Sequence, residues 1–116
     1  MMATKKLSDN SLDFVSGGDY NESAWDSRFL NVLLAGKPGQ CDRYASSRIC
    51  CEKHAHQIQR AWAAAGVTAF INHDAPNYYL GGGKWLTQDE AMEFAMNFVG
   101  KHLEKSDWDY GWDMDI

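Results

Sequence analysis

The chain contains no apolar run near the roughly 18 residues that a membrane-spanning helix requires. It also lacks the continuous apolar core and small-residue cleavage box of a secretory signal peptide. Cations are few: 11 Lys and Arg stand against 16 Asp and Glu, a formal net charge of -5 over 116 residues. With no basic stripe to displace counterions, nucleic acid is disfavoured as a partner, and charge attraction to anionic lipid is disfavoured for the same reason. Internal repeats and low-complexity linkers are absent. Cysteine is scarce and odd in number, with Cys41, Cys50 and Cys51 only. Gly81-Gly82-Gly83-Lys84 is no phosphate-binding loop, because its glycine spacing differs and no Ser or Thr follows the lysine. No motif implies a cofactor.

What is present begins near the N-terminus. Residues 7 to 18 place Leu7, Leu12 and Val15 among mostly small polar residues and stop at Gly17-Gly18. Wound as a helix, the three apolar side chains share one broad arc, enough to dock in a shallow groove but too little for a core. Two successive glycines present bare backbone that threads a cleft too narrow for larger residues. The segment resembles the double-glycine leader of bacteriocin and microcin precursors. Leu7-Ser8 opens it, Leu12 and Val15 follow at the family's distances, and Gly17-Gly18 closes it. The resemblance implies cleavage after Gly18 by a double-glycine cysteine peptidase fused to an ABC transporter, with Leu7, Leu12 and Val15 recognised by the peptidase. It implies a leader over 1–18 and a mature domain over 19–116, with the precursor cytoplasmic and the product secreted. Lys5 and Lys6 balance Asp9 and Asp13 in the leader, so the product keeps the net charge of -5. Pore-forming bacteriocins rely on positive charge or on long apolar or Gly-rich helices, and this product has neither.

Residues 23–35 read as a helix, with Ser23 as its cap and Trp25, Phe29, Val32 and Leu33 at helical spacing, until Gly36, Pro38 and Gly39 stop it. A second helix is predicted from Ser46 to Ala65, its core seam formed by Cys51, Ala55, Ile58, Trp62 and Ala65, with Gly66 as C-terminal cap. Val67 to Ile71 is the best strand candidate, and Asn77–Leu80 and Lys84–Leu86 can pair with it or with each other across the triple glycine. Thr87-Gln88-Asp89-Glu90 fits a capping box that opens a third helix, whose expected core face is Ala91, Phe94, Ala95, Phe98 and Val99. The expected fold is a small single α+β domain of three helices with a short β-hairpin. An all-α bundle with a long loop is the alternative.

Export would permit a disulfide. Within one helix Cys41 would lie about 13 to 15 Å along the axis from Cys50 or Cys51, too far to bond. The Gly36–Gly39 break leaves it in a loop able to fold back. Since Cys51 belongs to the core seam, Cys41 with Cys50 is the preferred pair, and Cys51 is expected as a buried thiol. Cys50 and His54 share a helical face, and Cys41, His56 and His73 are further nitrogen and sulfur donors. No second clustered ligand pair exists, so no metal site is expected, with Cys50 and His54 the alternative. Gly39-Gln40-Cys41-Asp42-Arg43-Tyr44-Ala45 with Arg48 resembles the opening of CHAP-type cysteine peptidoglycan amidases. That resemblance implies Cys41 as a nucleophile at a helix N-terminus. The family's downstream glycine-histidine strand motif is missing, and His73 sits in a different setting, Asn-His-Asp-Ala-Pro.

Tyr78-Tyr79 and Trp85 flank the triple glycine, as a hairpin covering one end of the core or as a recognition loop. The tail alternates acid and aromatic from Asp107, with Trp108, Tyr110 and Trp112 as anchors. It either docks on its own domain as an edge strand or binds a partner, such as the basic surface of a target receptor or an immunity protein. The leading expectation is a leader-processed antibacterial protein that acts by binding a specific target, without enzymatic activity. The alternatives are the cysteine amidase and a nonenzymatic exported binding or signalling protein.

Overall fold

Thr87 fixes the start of the last helix. Its hydroxyl accepts the Glu90 amide at 3.1 Å while the Glu90 carboxylate accepts the Thr87 amide at 2.8 Å, a reciprocal box that satisfies two otherwise orphaned donors. The computed structural model describes residues 20–72 and 75–109. Within them run α1 (Tyr20–Leu33), α2 (Arg48–Ala64), β1 (Thr68–Phe70), β2 (Tyr78–Gly81), β3 (Lys84–Leu86) and α3 (Gln88–Val99), then a 3-10 turn at Lys105–Asp107. The strands form one antiparallel sheet in the order β1-β2-β3. The domain has the small α+β fold expected from the sequence.

Two glycine settings shape it. Gly82 and Gly83, at φ 61° and 81°, make the two-residue turn between β2 and β3, where both central residues need positive φ. Gly66, at φ 86°, ends α2, and a Cβ there would lie 2.6 Å from the Phe98 ring. At the other end of α2 the Ser47 hydroxyl accepts the Cys50 amide at 3.1 Å.

Helix α1 departs from expectation at its start. It begins at Tyr20, and Ser23 is buried inside it rather than capping it. The Ser23 hydroxyl donates to the Asn72 carbonyl at 3.3 Å and accepts from Asn77 Nδ2 at 3.0 Å. The connection between β1 and β2 thus recruits a residue type that local preference would place at a helix end.

The core is built around Trp62. Phe29 packs on it at 6.0 Å, Tyr79 meets it edge-on at 5.2 Å, and Trp108 closes edge-on over Phe29 at 5.8 Å. α1 buries Asp26, Phe29, Leu30 and Leu33, while Trp25 and Val32 pack at the margin. From α2 the buried residues are Cys51, Ile58, Ala61 and Trp62, with Ala65 just beyond it. α3 buries Ala91, Met92 and Ala95. Phe98, expected on its core face, is 64% exposed, because its ring rests on Gly66 at the rim instead of entering between the layers.

Candidate functional site

Strand alternation turns Ala69 and Tyr79 into the core and leaves Phe70, Tyr78 and Trp85 outside. Phe70 pairs with Tyr78 across β1 and β2, and Trp85 faces Leu80 across β2 and β3. The Trp85 ring lies 6.2 Å from Phe70 and 6.4 Å from Tyr78, so the three form one patch. They are 46%, 55% and 65% exposed for Phe70, Tyr78 and Trp85. Burying one large apolar side chain contributes about 1.5 to 3 kcal/mol. Three adjacent rings that forgo most of this mark a surface suited to contact. Of the aromatics flanking the triple glycine, Tyr79 alone serves the core. Phe70 escaped the sequence reading, although period-two alternation from buried Ala69 puts it beside Tyr78.

On the sheet's inner side lies Asp26, fully buried. Tyr79 Oη donates to its Oδ2 at 2.6 Å, Trp62 Nε1 at 3.1 Å and Asn77 Nδ2 at 3.4 Å, while Gln88 Nε2 donates to Oδ1 at 2.8 Å. These donors favour the carboxylate, but the loss of water outweighs them and pushes the Asp26 carboxyl from 3.8 up to about 7. Burial, and then the charge of Asp26, raise the Tyr79 hydroxyl well above its ordinary value. Asn77 extends the network, its amide donating to Glu22 Oε1 at 3.0 Å and its Oδ1 accepting the Asn72 amide at 2.7 Å. Asp26 therefore braces α1, α2, β2 and α3 at one point. A signal for it existed: Asp26, Phe29, Leu30 and Leu33 share one helical stripe, and an acid on such a stripe needs partners.

The three cysteines are free thiols. Cys41 and Cys50 are not joined as expected, because the loop after α1 packs back on that helix and holds Cys41 there. Its Sγ donates to the Ser27 carbonyl at 3.7 Å, Asn31 Nδ2 donates to its carbonyl at 2.8 Å, and the Tyr44 amide donates to Ser27 Oγ at 2.9 Å. Burial pushes the Cys41 thiol up to about 12. Cys41 also precedes the first residue of α2, Arg48, by a full loop segment. The helix N-terminus and exposed thiolate that the amidase resemblance implies are thus not found at Cys41. Cys51, buried as expected, donates to the Asn72 carbonyl at 3.3 Å. His54 stacks flat on Tyr44 at 4.1 Å. Among the described residues no group of three or more His, Cys, Asp or Glu side chains is arranged to hold a metal, so Cys50 and His54 gain no further ligands there. His56 is exposed on α2.

Trp108, expected as a partner-binding anchor, is a core residue, 5% exposed. It docks through the 3-10 turn and not through an edge strand, with Arg43 Nη2 donating to its carbonyl at 3.2 Å. Lys101 Nζ secures the same C-terminal strap by donating to the Val32 carbonyl at 2.8 Å. Tyr110, Trp112, His73, and the leader positions Leu7, Leu12, Val15, Gly17 and Gly18 lie outside the described residues. No helix among the described residues is long and apolar enough to cross a membrane. Comparison with protein-family models, with curated proteins and with solved structures finds no match.

Proposed function

We propose that the protein is the precursor of an exported antibacterial effector, cut after Gly18 by a double-glycine peptidase-transporter, whose mature domain acts by binding a target receptor through the face formed by Phe70, Tyr78 and Trp85. The processing half rests on the agreement of Leu7, Leu12, Val15 and Gly17-Gly18 with the double-glycine leader. The position of the cut is compatible with the described part of the fold, where the core cluster of Phe29 to Trp108 and the residues packed at its margin from Tyr20 onward all follow Gly18 in the chain. The binding half rests on the exposed aromatic patch. That patch supplies large apolar contact area on a chain of net charge -5, which fits recognition of a specific protein better than adhesion to anionic lipid.

Co-expression with a double-glycine peptidase-transporter, followed by mass spectrometry of the medium, tests the first half. The expected product starts at Asp19, and Gly18→Val abolishes it, because a β-branched side chain obstructs the narrow cleft. Cleavage elsewhere, or none, overturns the reading. The second half is tested with Trp85→Ala, which keeps the thermal stability of the domain while removing killing of a susceptible strain. Full killing by that variant shows that the patch is not the binding face.

A further inference from the structure

We propose that a cavity between α1, α3 and the C-terminal strap receives a lysine or arginine side chain of a protein partner, whose cation takes the place over Trp25 that Lys105 holds in the unbound protein. This site is separate from the aromatic sheet face and does not depend on processing at Gly18, so failure of either reading leaves the other standing.

The cavity has a volume of about 250 Å³, room for one long side chain. Its walls carry the rings of Trp25, Phe29 and Trp108 with the thioether side chains of Met92 and Met96. Such walls suit a methylene stem. At its mouth stand Asp89 and Glu93, exposed carboxylates on successive turns of α3. Gln88 adds an acceptor. Its Nε2 donates to Asp26 Oδ1 at 2.8 Å and to the Glu22 carbonyl at 3.3 Å. The amide is thereby fixed with its nitrogen on the core side, and its Oε1 remains to accept from a ligand.

Lys105 shows which chemistry the cavity favours. Its Nζ lies 5.2 Å from the centre of the Trp25 ring, within the range of cation–π attraction. It is tethered otherwise only loosely, 3.8 Å from Asp109 Oδ2 with an exposed side chain, so its replacement by an incoming cation costs little. The net charge of -5 draws basic partners towards this rim. The residues after Trp108 carry only the charges of Asp109, Asp113 and Asp115, so the cation that suits the Trp25 ring and the acidic rim must come from a partner.

The full-length protein, isotopically labelled, is titrated with Nα-acetyl-lysine methylamide, with Nα-acetyl-norleucine methylamide as the uncharged control. Indole N–H shifts are read by NMR. Millimolar binding is expected, with shifts at Trp25 and Trp108 and at least tenfold weaker binding of the norleucine compound. Lys105→Ala is expected to tighten lysine binding several-fold by removing a competitor, and Asp89→Asn with Glu93→Gln to weaken it several-fold. All three positions are solvent-exposed, so the variants keep the fold, which far-ultraviolet circular dichroism confirms. Equal binding of norleucine, shifts confined to other tryptophans, or no tightening in Lys105→Ala overturns the proposal. So does a dimer, seen by sedimentation, that the lysine compound disperses, because the occupant is then a second copy.

Discussion

Replacing Asp26 by Asn should reverse its sign of effect with pH. The folded-state carboxyl sits at about 7 against 3.8 for the ordinary group. Folding therefore favours the protonated form, and the stabilisation is complete below about pH 3.8 and is lost as pH rises through about 7. At about 1.36 kcal/mol per tenfold change in proton affinity, the loss amounts to about 4 kcal/mol. That is a large share of the roughly 5 to 15 kcal/mol that holds a small domain together. Asn cannot ionise, so its stability lacks this term. The protonated carboxyl places a single O–H among its four donor partners and still accepts on both oxygens, whereas the Asn NH2 group brings two N–H donors and accepts nothing, so a partner is lost in the variant alone. One unmet donor costs about 1 to 3 kcal/mol. The wild type should thus be the more stable protein at low pH and the variant above a crossover between about pH 4.5 and 6. Urea unfolding followed by tryptophan fluorescence, on both proteins across this range, measures the difference and cancels the titration of the other acids. A difference that does not change with pH refutes the reasoning. A wild type that gains on the variant as pH rises refutes it more specifically, because the four donors would then outweigh burial and hold Asp26 ionised.

Trp108→Ala should lower stability by about 3 to 5 kcal/mol, since it empties the space beside Phe29; thermal unfolding that matches the wild type would show the strap to be dispensable. Gly66→Ala should cost about 1 to 3 kcal/mol from its positive φ, and more from the Phe98 ring at 2.6 Å. In a Phe98→Ala background calorimetry should recover the steric part and leave the backbone part. Brief alkylation at mildly alkaline pH should modify Cys50 well before Cys41, whose thiol burial pushes up to about 12; equal rates on peptide mapping would contradict the packing of the loop on α1. Removal of residues 1–18 should shift the melting temperature by no more than a few degrees, because the segment's thin apolar arc cannot offset about 1 to 2 kcal/mol of ordering entropy per residue. Unfolding on truncation would sink the leader reading.

The sequence alone determined the local skeleton. The Thr87 box, the glycine turn between β2 and β3, and the seam of Cys51, Ile58, Trp62 and Ala65 depend on residues within a few positions of one another, so their physics is complete in a short window. The tertiary structure decided what depends on distant partners. Asp26 could not be read as a brace, because its donors Trp62, Tyr79 and Gln88 lie 36, 53 and 62 residues away. Ser23 looked like a cap until the connection between β1 and β2 claimed its hydroxyl. Phe98 and Trp108 exchanged their expected places, the first resting at the rim and the second entering the core. Periodicity names the apolar face of an element, but which neighbour covers that face, and how far along it the cover extends, is set only when the layers pack.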